Sequence, residues 1–182
     1  MERDSDQELV ERCRRGDRAA FATLMRTYQR PVYNAALTIL RRADDAGDVA
    51  QSVFLKVWEK LDDYDPQYKF FSWIYRIAVN EALNVARRNN REEPLDEELG
   101  LPEETSSDPA LQAVAGESAS RVRAALMQMS VNDRSVLILR HFSECSYEEI
   151  GATLGLEEKT VKSRLFSARE RLAEKMKGWE AT

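Results

Sequence analysis

Side chains that could bind phosphates and base edges are concentrated between positions 159 and 177. This stretch carries seven lysines and arginines against two glutamates, in a chain whose net charge is −5. Apolar residues recur at steps of four, three and four from Val161 to Leu172, which is the spacing of a buried helical stripe. At about 100° per residue, the opposite face and the flanks of that stripe hold Lys159, Lys162, Ser163, Arg164, Phe166, Ser167 and Arg169. Cations bind phosphates, and short polar or apolar side chains meet base edges, so the pattern predicts docking on duplex DNA.

The residues before this stretch indicate a helix-turn-helix. Ser146 and Glu149 form a capping-box pattern that opens a short helix. Gly155 fits the C′ position, where a left-handed backbone carries no Cβ penalty, and the small Gly151 allows two helices to cross closely. The alternative is a basic helix that is merely solvated. The turn spacing and the outward position of Phe166 favour DNA docking over that alternative.

A second group of aromatic, cationic and amide side chains lies between positions 64 and 84. A loop rich in Tyr and Phe precedes a helix expected from about residue 71 to 90, along which Trp, Arg and Asn recur at steps of three and four. The candidates are Tyr64, Lys69, Phe71, Trp73, Tyr75, Arg76, Asn80 and Asn84. Aromatic rings stack on unpaired bases, so the group suits single-stranded nucleic acid. The alternative, which the composition alone fits at least equally well, is that the aromatics pack in a core.

A mixed polar and apolar surface precedes this group, on a helix that ends near Trp58. Asp48 and Gln51 lie there beside Phe54 and Leu55. Such a surface could bind a partner helix, although this pattern alone is not specific.

The elements that position these groups are expected to be helical. With 7 Gly and 5 Pro, the chain is poor in turn formers, which favours an all-α fold. Residues 1–90 carry 15 basic and 14 acidic side chains, residues 91–117 carry one and nine, and residues 118–182 carry 11 and nine. We therefore predict two small helical domains, 1–90 and 118–182, joined by the flexible acidic linker 91–117.

Local signals predict individual helix ends. Ser5 and Glu8 form a capping box at the first helix. A later helix is expected to end or kink at Pro31, although the helical period carries on beyond it. Asp44 or Asp45 is expected to open the next helix. In the second domain, helices are expected over about 110–129 and 133–142.

Several classes of protein are not expected. No apolar run approaches the 18 or so residues that a membrane helix needs, and the acidic start is not a signal peptide, so we expect a cytoplasmic protein without membrane insertion. Cys13 and Cys145 form no metal-ligand pattern and are expected to be reduced apolar side chains. His141 is the only histidine and has no Cys or Asp neighbour in sequence. Without a phosphate loop or nucleophile motif, we expect no enzyme, no cofactor and no metal site.

Four segments together resemble the extracytoplasmic-function, or group IV, sigma factors of bacterial RNA polymerase. They are DVAQSVFLKVW at 48–58, FSWIYRIAVN at 71–80, SYEEIG at 146–151 and TVKSRL at 160–165. The resemblance covers about residues 8–90 as region 2 and 118–176 as region 4, in the same order and spacing. It implies core RNA polymerase, promoter DNA and an anti-sigma factor as partners.

The resemblance also implies roles by position. The surface of Asp48, Gln51, Phe54, Leu55 and Trp58 would bind the coiled coil of the polymerase's largest subunit. The loop 64–71 and the helix after it would melt and read the −10 element, while the basic helix would read the −35 element as duplex. Region 4 would also contact the β flap, and the linker would follow the polymerase's cleft and RNA exit channel. Lys159 stands where glycine is common and Ser167 where arginine is common, so the −35 preference is left open.

Two other classes fit part of the pattern. A helix-turn-helix regulator with a helical sensor would dimerise and bind its operator tightly without polymerase. A helical adaptor would use the basic helix to bind an acidic protein, so that Lys162→Glu and Arg164→Glu would spare nucleic-acid function. The aromatic group of the first domain favours the sigma-factor interpretation over both.

Overall fold

The structure, a computed structural model, describes residues 5–92 and 117–177, and most of these residues are helical. Their eight α-helices are α1 (Asp6–Arg14), α2 (Arg18–Leu40), α3 (Ala43–Glu59), α4 (Phe70–Glu92), α5 (Glu117–Met127), α6 (Val131–His141), α7 (Tyr147–Leu154) and α8 (Glu158–Lys177). A 3-10 helix, Leu61–Asp63, lies between α3 and α4. Neither described range contains a β-strand, and the predicted all-α class is confirmed. Most of the predicted linker and the start of the helix expected from about residue 110 lie outside the described residues.

The chain divides into two compact units, Met1–Ala86 and Arg87–Thr182. In the first unit, α2 packs against α1 and α3. Its core contains Val10, Leu24, Val32, Val53, Phe70 and Ile74. Cys13 is buried in this unit as a free thiol, and burial raises the pKa of that thiol.

In the second unit, α8 packs against α5, α6 and α7. Its core contains Ile138, Leu139, Ile150, Val161 and Leu165, together with the free, buried Cys145. The stripe predicted for the basic helix is therefore its buried face. No helix in the described ranges is long and apolar enough to cross a bilayer.

Both predicted capping boxes are present. The Ser5 hydroxyl accepts from the Glu8 N–H, and the Glu8 carboxylate accepts from the Ser5 N–H at 2.7 Å. Ser146 and Glu149 make the equivalent pair at 3.1 and 2.7 Å. The backbone hydrogen bond from Ser5 also lowers the pKa of Glu8. Each box satisfies two amides that a helix start leaves without an intrahelical partner.

Two predicted helix boundaries need correction. α2 continues through Pro31 to Leu40, so an end of the helix at this proline is wrong. Val32 and Ala36 beyond it are fully buried, and that burial offsets the hydrogen bond that a proline removes. α3 begins after Arg42, without a side-chain cap. Asp44 and Asp45 lie instead in its first turn, where carboxylates face the positive end of the helix dipole.

Candidate nucleic-acid interface

The turn between α7 and α8 depends on two glycines. The Leu156 N–H donates to the Gly151 carbonyl at 2.9 Å. A Cβ on Gly151 would lie 2.6 Å from the Leu156 carbonyl oxygen, which is closer than side chains approach backbone. Gly155 has a φ of +68°, in the left-handed region that favours glycine. The predicted roles of Gly151 and Gly155 in a helix-turn-helix are confirmed.

The outer face of α8 carries most of the side chains predicted to meet DNA. Lys159, Lys162, Ser163 and Arg169 are exposed, while Arg164 and Ser167 are half-buried. Phe166 is 63% exposed. The Ser163 hydroxyl donates to the Thr160 carbonyl at 3.0 Å, so its oxygen can still accept a hydrogen bond. The outer face of α8 therefore carries an exposed apolar ring with exposed cations on either side of it.

Lys162 is held by two neighbours. Its Nζ lies 2.6 Å from Glu158 Oε1 and 5.5 Å from the centroid of the Tyr147 ring. The hydrogen bond to Glu158, followed by its negative charge, raises the pKa of Lys162. Arg140 lies over the same Tyr147 ring at 5.0 Å and donates to the Cys145 carbonyl at 2.8 Å. Glu158 and Tyr147 thus position a predicted DNA-contacting cation, and sequence reasoning did not identify them.

Two arginines fasten α8 to α6. Arg169 Nε donates to His141 Nε2 at 3.3 Å. Burial, followed by the charges of Arg169 and Arg140, lowers the pKa of His141, and a lowered pKa favours the neutral ring that can accept this hydrogen bond. Arg171 donates to Asp133 Oδ2 at 2.7 Å. Of the two arginines, only Arg169 was predicted to meet DNA, and it is exposed beside this contact.

The amide and cationic candidates of the first unit form one stripe along α4. Trp73, Arg76 and Asn80 are half-buried, and Asn84 is exposed. The Asn80 side-chain oxygen accepts no hydrogen bond from the described part of the chain. The structure therefore brings these four residues onto one face, as their spacing predicted.

The aromatic candidates are more buried than the stripe. Tyr64 and Tyr75 are core side chains, and Phe71 is half-buried with its ring 5.1 Å from that of Tyr75. The Tyr64 ring lies 5.3 Å from Phe70 and 5.5 Å from Trp73. For Tyr64 and Tyr75 the packing alternative describes this conformation, because buried rings are not available to stack on bases.

The loop before α4 exposes two other side chains. Lys69 is exposed, as is Tyr68 at 64%. Tyr68 was not singled out from the sequence, although its aromatic type beside Lys69 was the available signal. Tyr64 keeps its hydroxyl bonded to the Tyr68 carbonyl at 2.7 Å, which ties the exposed part of the loop to the core.

Side chains of α1 donate hydrogen bonds to the backbone of this same loop. Arg14 Nη2 donates to the carbonyls of Leu61 at 3.1 Å, Asp62 at 3.4 Å and Tyr64 at 2.8 Å. Gln7 Nε2 donates to the Pro66 carbonyl at 2.8 Å. No sequence pattern indicates these contacts, because they join positions 47 to 59 residues apart.

The predicted polymerase-binding residues divide between a surface and the core. Asp48, Gln51, Leu55 and Trp58 share one solvent face of α3, which we term the α3 face. Leu55 is 68% exposed, and the Trp58 ring meets Phe21 edge-on at 4.8 Å. Phe54 is buried beneath them, so it supports the α3 face from inside rather than lining it.

The side chains exposed on these surfaces are of few chemical types. The described residues hold no group of three or more His, Cys, Asp or Glu side chains that could bind a metal ion. Cations, amides and exposed aromatics are the side chains that bind phosphates and bases. The fold and its surfaces therefore define a class, the two-unit helical proteins in which one unit carries a helix-turn-helix.

Comparisons with known proteins narrow this class. Residues 24–92 match the family model Sigma-70 region 2, and residues 119–172 match Sigma-70, region 4. The chain is 33% identical over 179 residues to the RNA polymerase sigma-H factor of Pseudomonas aeruginosa, covering 93% of each chain. It is 32% identical over 181 residues to the ECF RNA polymerase sigma-E factor of Escherichia coli K12, covering 94% of each.

A solved structure agrees with these matches. The sigma factor RpoE of Bartonella quintana, determined with the anti-sigma factor NepR, is similar with a TM-score of 0.55 and 25% identity. The match covers 86% of this chain and 96% of that chain. The chain belongs to the sigma-70 family, in its extracytoplasmic-function group, and the resemblance predicted from the four segments is confirmed.

Proposed function

We propose that this protein directs core RNA polymerase to promoters by binding the −35 element with α8 and the −10 element with its first unit. The observation that carries the proposal is the outer face of α8, the second helix of the helix-turn-helix, where an exposed Phe166 lies among exposed cations. The exposed part of this ring buries no area within its own unit, whereas a phenylalanine can contact a thymine methyl group in the major groove. Family membership supports the same assignment.

The −35 element is bound as duplex. Lys159, Lys162, Arg164 and Arg169 supply phosphate contacts, and Ser163, Phe166 and Ser167 face the base edges. The ion pair between Lys162 and Glu158 is solvent-exposed and contributes little free energy. Lys162 can therefore leave Glu158 and pair with a DNA phosphate at little cost in free energy. Lys159 at the start of α8 adds a further cation where the helix dipole already attracts phosphate.

The −10 element is bound as an unpaired strand. The α4 stripe of Trp73, Arg76, Asn80 and Asn84 supplies amide and cationic groups, and Lys69 and Phe71 border it. Tyr68 supplies the exposed ring on which a base stacks. Tyr64 acts from the core, where its ring packs on Trp73 and joins the loop to α4, and Tyr75 is a core side chain of α4 itself.

The α3 face binds the coiled coil of the polymerase's largest subunit, and the second unit contacts the β flap. Leu55 and Trp58 supply exposed apolar area, while Asp48 and Gln51 supply polar contacts around it. This pattern of an apolar centre and a polar rim is typical of a transient protein interface. An anti-sigma factor is a further partner, as NepR is for the RpoE relative.

The proposed role is regulatory rather than catalytic and belongs to the compartment of the polymerase, the cytoplasm. It needs no cofactor. An operator-binding regulator remains the second candidate, because the helix-turn-helix alone would serve it equally. The two differ in whether specific binding requires polymerase.

A reconstitution experiment distinguishes the two candidates. Genomic fragments are tested for binding and run-off transcription with this protein, with sigma-free core polymerase, and with both. Specific binding and initiation only when both are present would establish the proposed function and identify a promoter. Tight specific binding by the protein alone, without initiation, would favour the operator-binding regulator.

Variants then test the division between the two units. Lys162→Ala or Ser163→Ala should weaken binding to the −35 duplex, whereas Asn80→Ala should reduce promoter opening and −10 selectivity. Asn80→Ala should leave folding intact, because its side-chain oxygen makes no hydrogen bond among the described residues. Equal losses of duplex binding in all three variants would contradict this division.

A further inference from the structure

The loop that follows α3 is fastened by a helix outside the matched region 2 segment. That segment begins at residue 24, whereas α1 spans Asp6–Arg14. From α1, the Arg14 side chain donates to three carbonyls of residues 61–64, and Gln7 donates to the carbonyl of Pro66. α1 therefore contacts the backbone of the loop at four places, and each contact involves a carbonyl oxygen.

The Arg14 guanidinium is suited to this contact. Its Nη1 is paired with Glu11 at 2.7 Å on α1, which directs Nη2 toward the loop. The side chain is 23% exposed, so these bonds are partly shielded from water. A planar guanidinium can hold several fixed acceptors at once, which a lysine ammonium on a flexible stem does less well.

The fixed carbonyls lead to the exposed part of the loop. Tyr64 has its carbonyl bound to Arg14 and its hydroxyl bound to the Tyr68 carbonyl, while its ring packs on Trp73. Within the loop, the Gln67 N–H donates to Asp65 Oδ1 at 2.9 Å, and this hydrogen bond closes a turn. Restraint therefore passes from α1 through Tyr64 to the exposed Tyr68 and Lys69.

We propose that Arg14 and Gln7 are positioning residues that preorganise the loop 61–69 for unpaired −10 DNA. This inference rests on the proposed function, because it assumes that the loop binds promoter DNA. A loop that is already ordered does not lose conformational freedom on binding, so its affinity is higher than that of a mobile loop. If release of Arg14 leaves one loop in ten correctly placed, the apparent Kd rises about tenfold.

The test uses holoenzyme assembled from core polymerase and full-length Arg14→Gln, Arg14→Lys or Gln7→Ala. Arg15→Gln is the matched control, because Arg15 is an exposed cation beside Arg14 at the C-cap of α1. The probes are a single strand carrying the −10 sequence from the run-off experiment, a scrambled strand, and a −35 duplex. Thermal unfolding of each free variant reports its stability.

Arg14→Gln should bind the −10 strand about tenfold more weakly and lose preference over the scrambled strand. Its binding to core polymerase and to the −35 duplex should match that of Arg15→Gln. Arg14→Lys should recover only part of the loss. Gln7→Ala removes one exposed hydrogen bond and should show a smaller loss without impaired folding, which keeps the test valid if Arg14→Gln folds poorly.

Three results would overturn the inference. Unchanged −10 binding by a folded Arg14→Gln, with wild-type holoenzyme active, would refute it alone. Full recovery by Arg14→Lys would show that charge matters rather than the fork of hydrogen bonds to carbonyls. Failure of wild-type holoenzyme to prefer the −10 strand would refute the proposed function and this inference with it.

Discussion

Phe166→Ala and Leu165→Ala compare two adjacent side chains of α8 that differ in burial. Phe166 is 63% exposed and Leu165 is 1% exposed. Removing a buried leucine costs about 2–5 kcal/mol in the free energy of unfolding. A fully buried phenylalanine costs about 3–5 kcal/mol, and only about a third of Phe166 is covered, so we expect about 1–2 kcal/mol for Phe166→Ala.

The effect on DNA binding should run in the opposite order to the effect on stability. A phenylalanine side chain offers about 200 Å² of area, of which about 125 Å² is exposed at Phe166. At about 25 cal/mol per Å², covering half of that area contributes about 1.5 kcal/mol to binding. Phe166→Ala should therefore raise the Kd for the −35 duplex roughly tenfold.

The assay measures fluorescence anisotropy of a labelled −35 duplex with holoenzyme, alongside denaturant unfolding of each variant. Leu165→Ala controls for indirect loss, because its effect on DNA should follow its loss of folded protein. Equal destabilisation by the two variants would refute the outward placement of Phe166. An unchanged Kd in a fully folded Phe166→Ala would refute its place in the DNA interface.

Three further variants test other contacts. Gly151→Ala forces a Cβ to 2.6 Å from the Leu156 carbonyl, so hydrogen exchange should show α7 about 1–3 kcal/mol less stable, whereas an unaffected α7 would contradict the close crossing. Asp17 accepts hydrogen bonds from the Ala20 amide, the Arg12 side chain and the Ala19 amide, and these bonds lower the pKa of this carboxyl below its ordinary 3.8. In unfolding experiments at a series of pH values, the stability advantage of wild type over Asp17→Ala should be constant above pH 3.8 and shrink as the pH falls through the lowered pKa. Leu55→Asp should change stability by less than about 0.5 kcal/mol yet weaken core polymerase binding in a pull-down titration, and wild-type binding would contradict the role of the α3 face.

Features that depend on nearest neighbours could be predicted from the sequence. Each capping box joins residues three positions apart, and the left-handed backbone of Gly155 follows directly from its place at the end of a helix. Such features can therefore be recognised from a few consecutive residues. The outward position of Phe166 followed from the period of an apolar stripe that the structure buries. The effect of Pro31 on its helix was harder to predict, because whether the helix ends or continues depends on which residues of the following turns are buried.

The division of aromatics between core and surface could not be predicted from the sequence. Trp73, Tyr75 and Tyr64 are all aromatic residues of the same short segment, and the sequence gives no sign of which is buried. In the structure, Tyr75 and Tyr64 are buried and Trp73 is half-buried. Which ring faces inward depends on the rings that it meets from other helices, such as Tyr28 of α2 against Phe70 at 5.4 Å. The spacing of residues along one helix predicts which of them share a face, but it does not predict how much of that face a neighbouring loop covers.

That loop also shows why conformational restraint and recognition need not reside in the same residues. Tyr68 and Lys69, the side chains proposed to meet the nucleic acid, are exposed, and exposed side chains do little to fix their own backbone. Fixing the backbone requires donors for its carbonyls, and Arg14 and Gln7 provide them from a helix some fifty residues earlier. Since the acceptors are backbone atoms, substitutions within the loop can alter the presented side chains and retain the restraint. Base preference could therefore change by substitution at exposed loop positions while α1 continues to hold the same backbone.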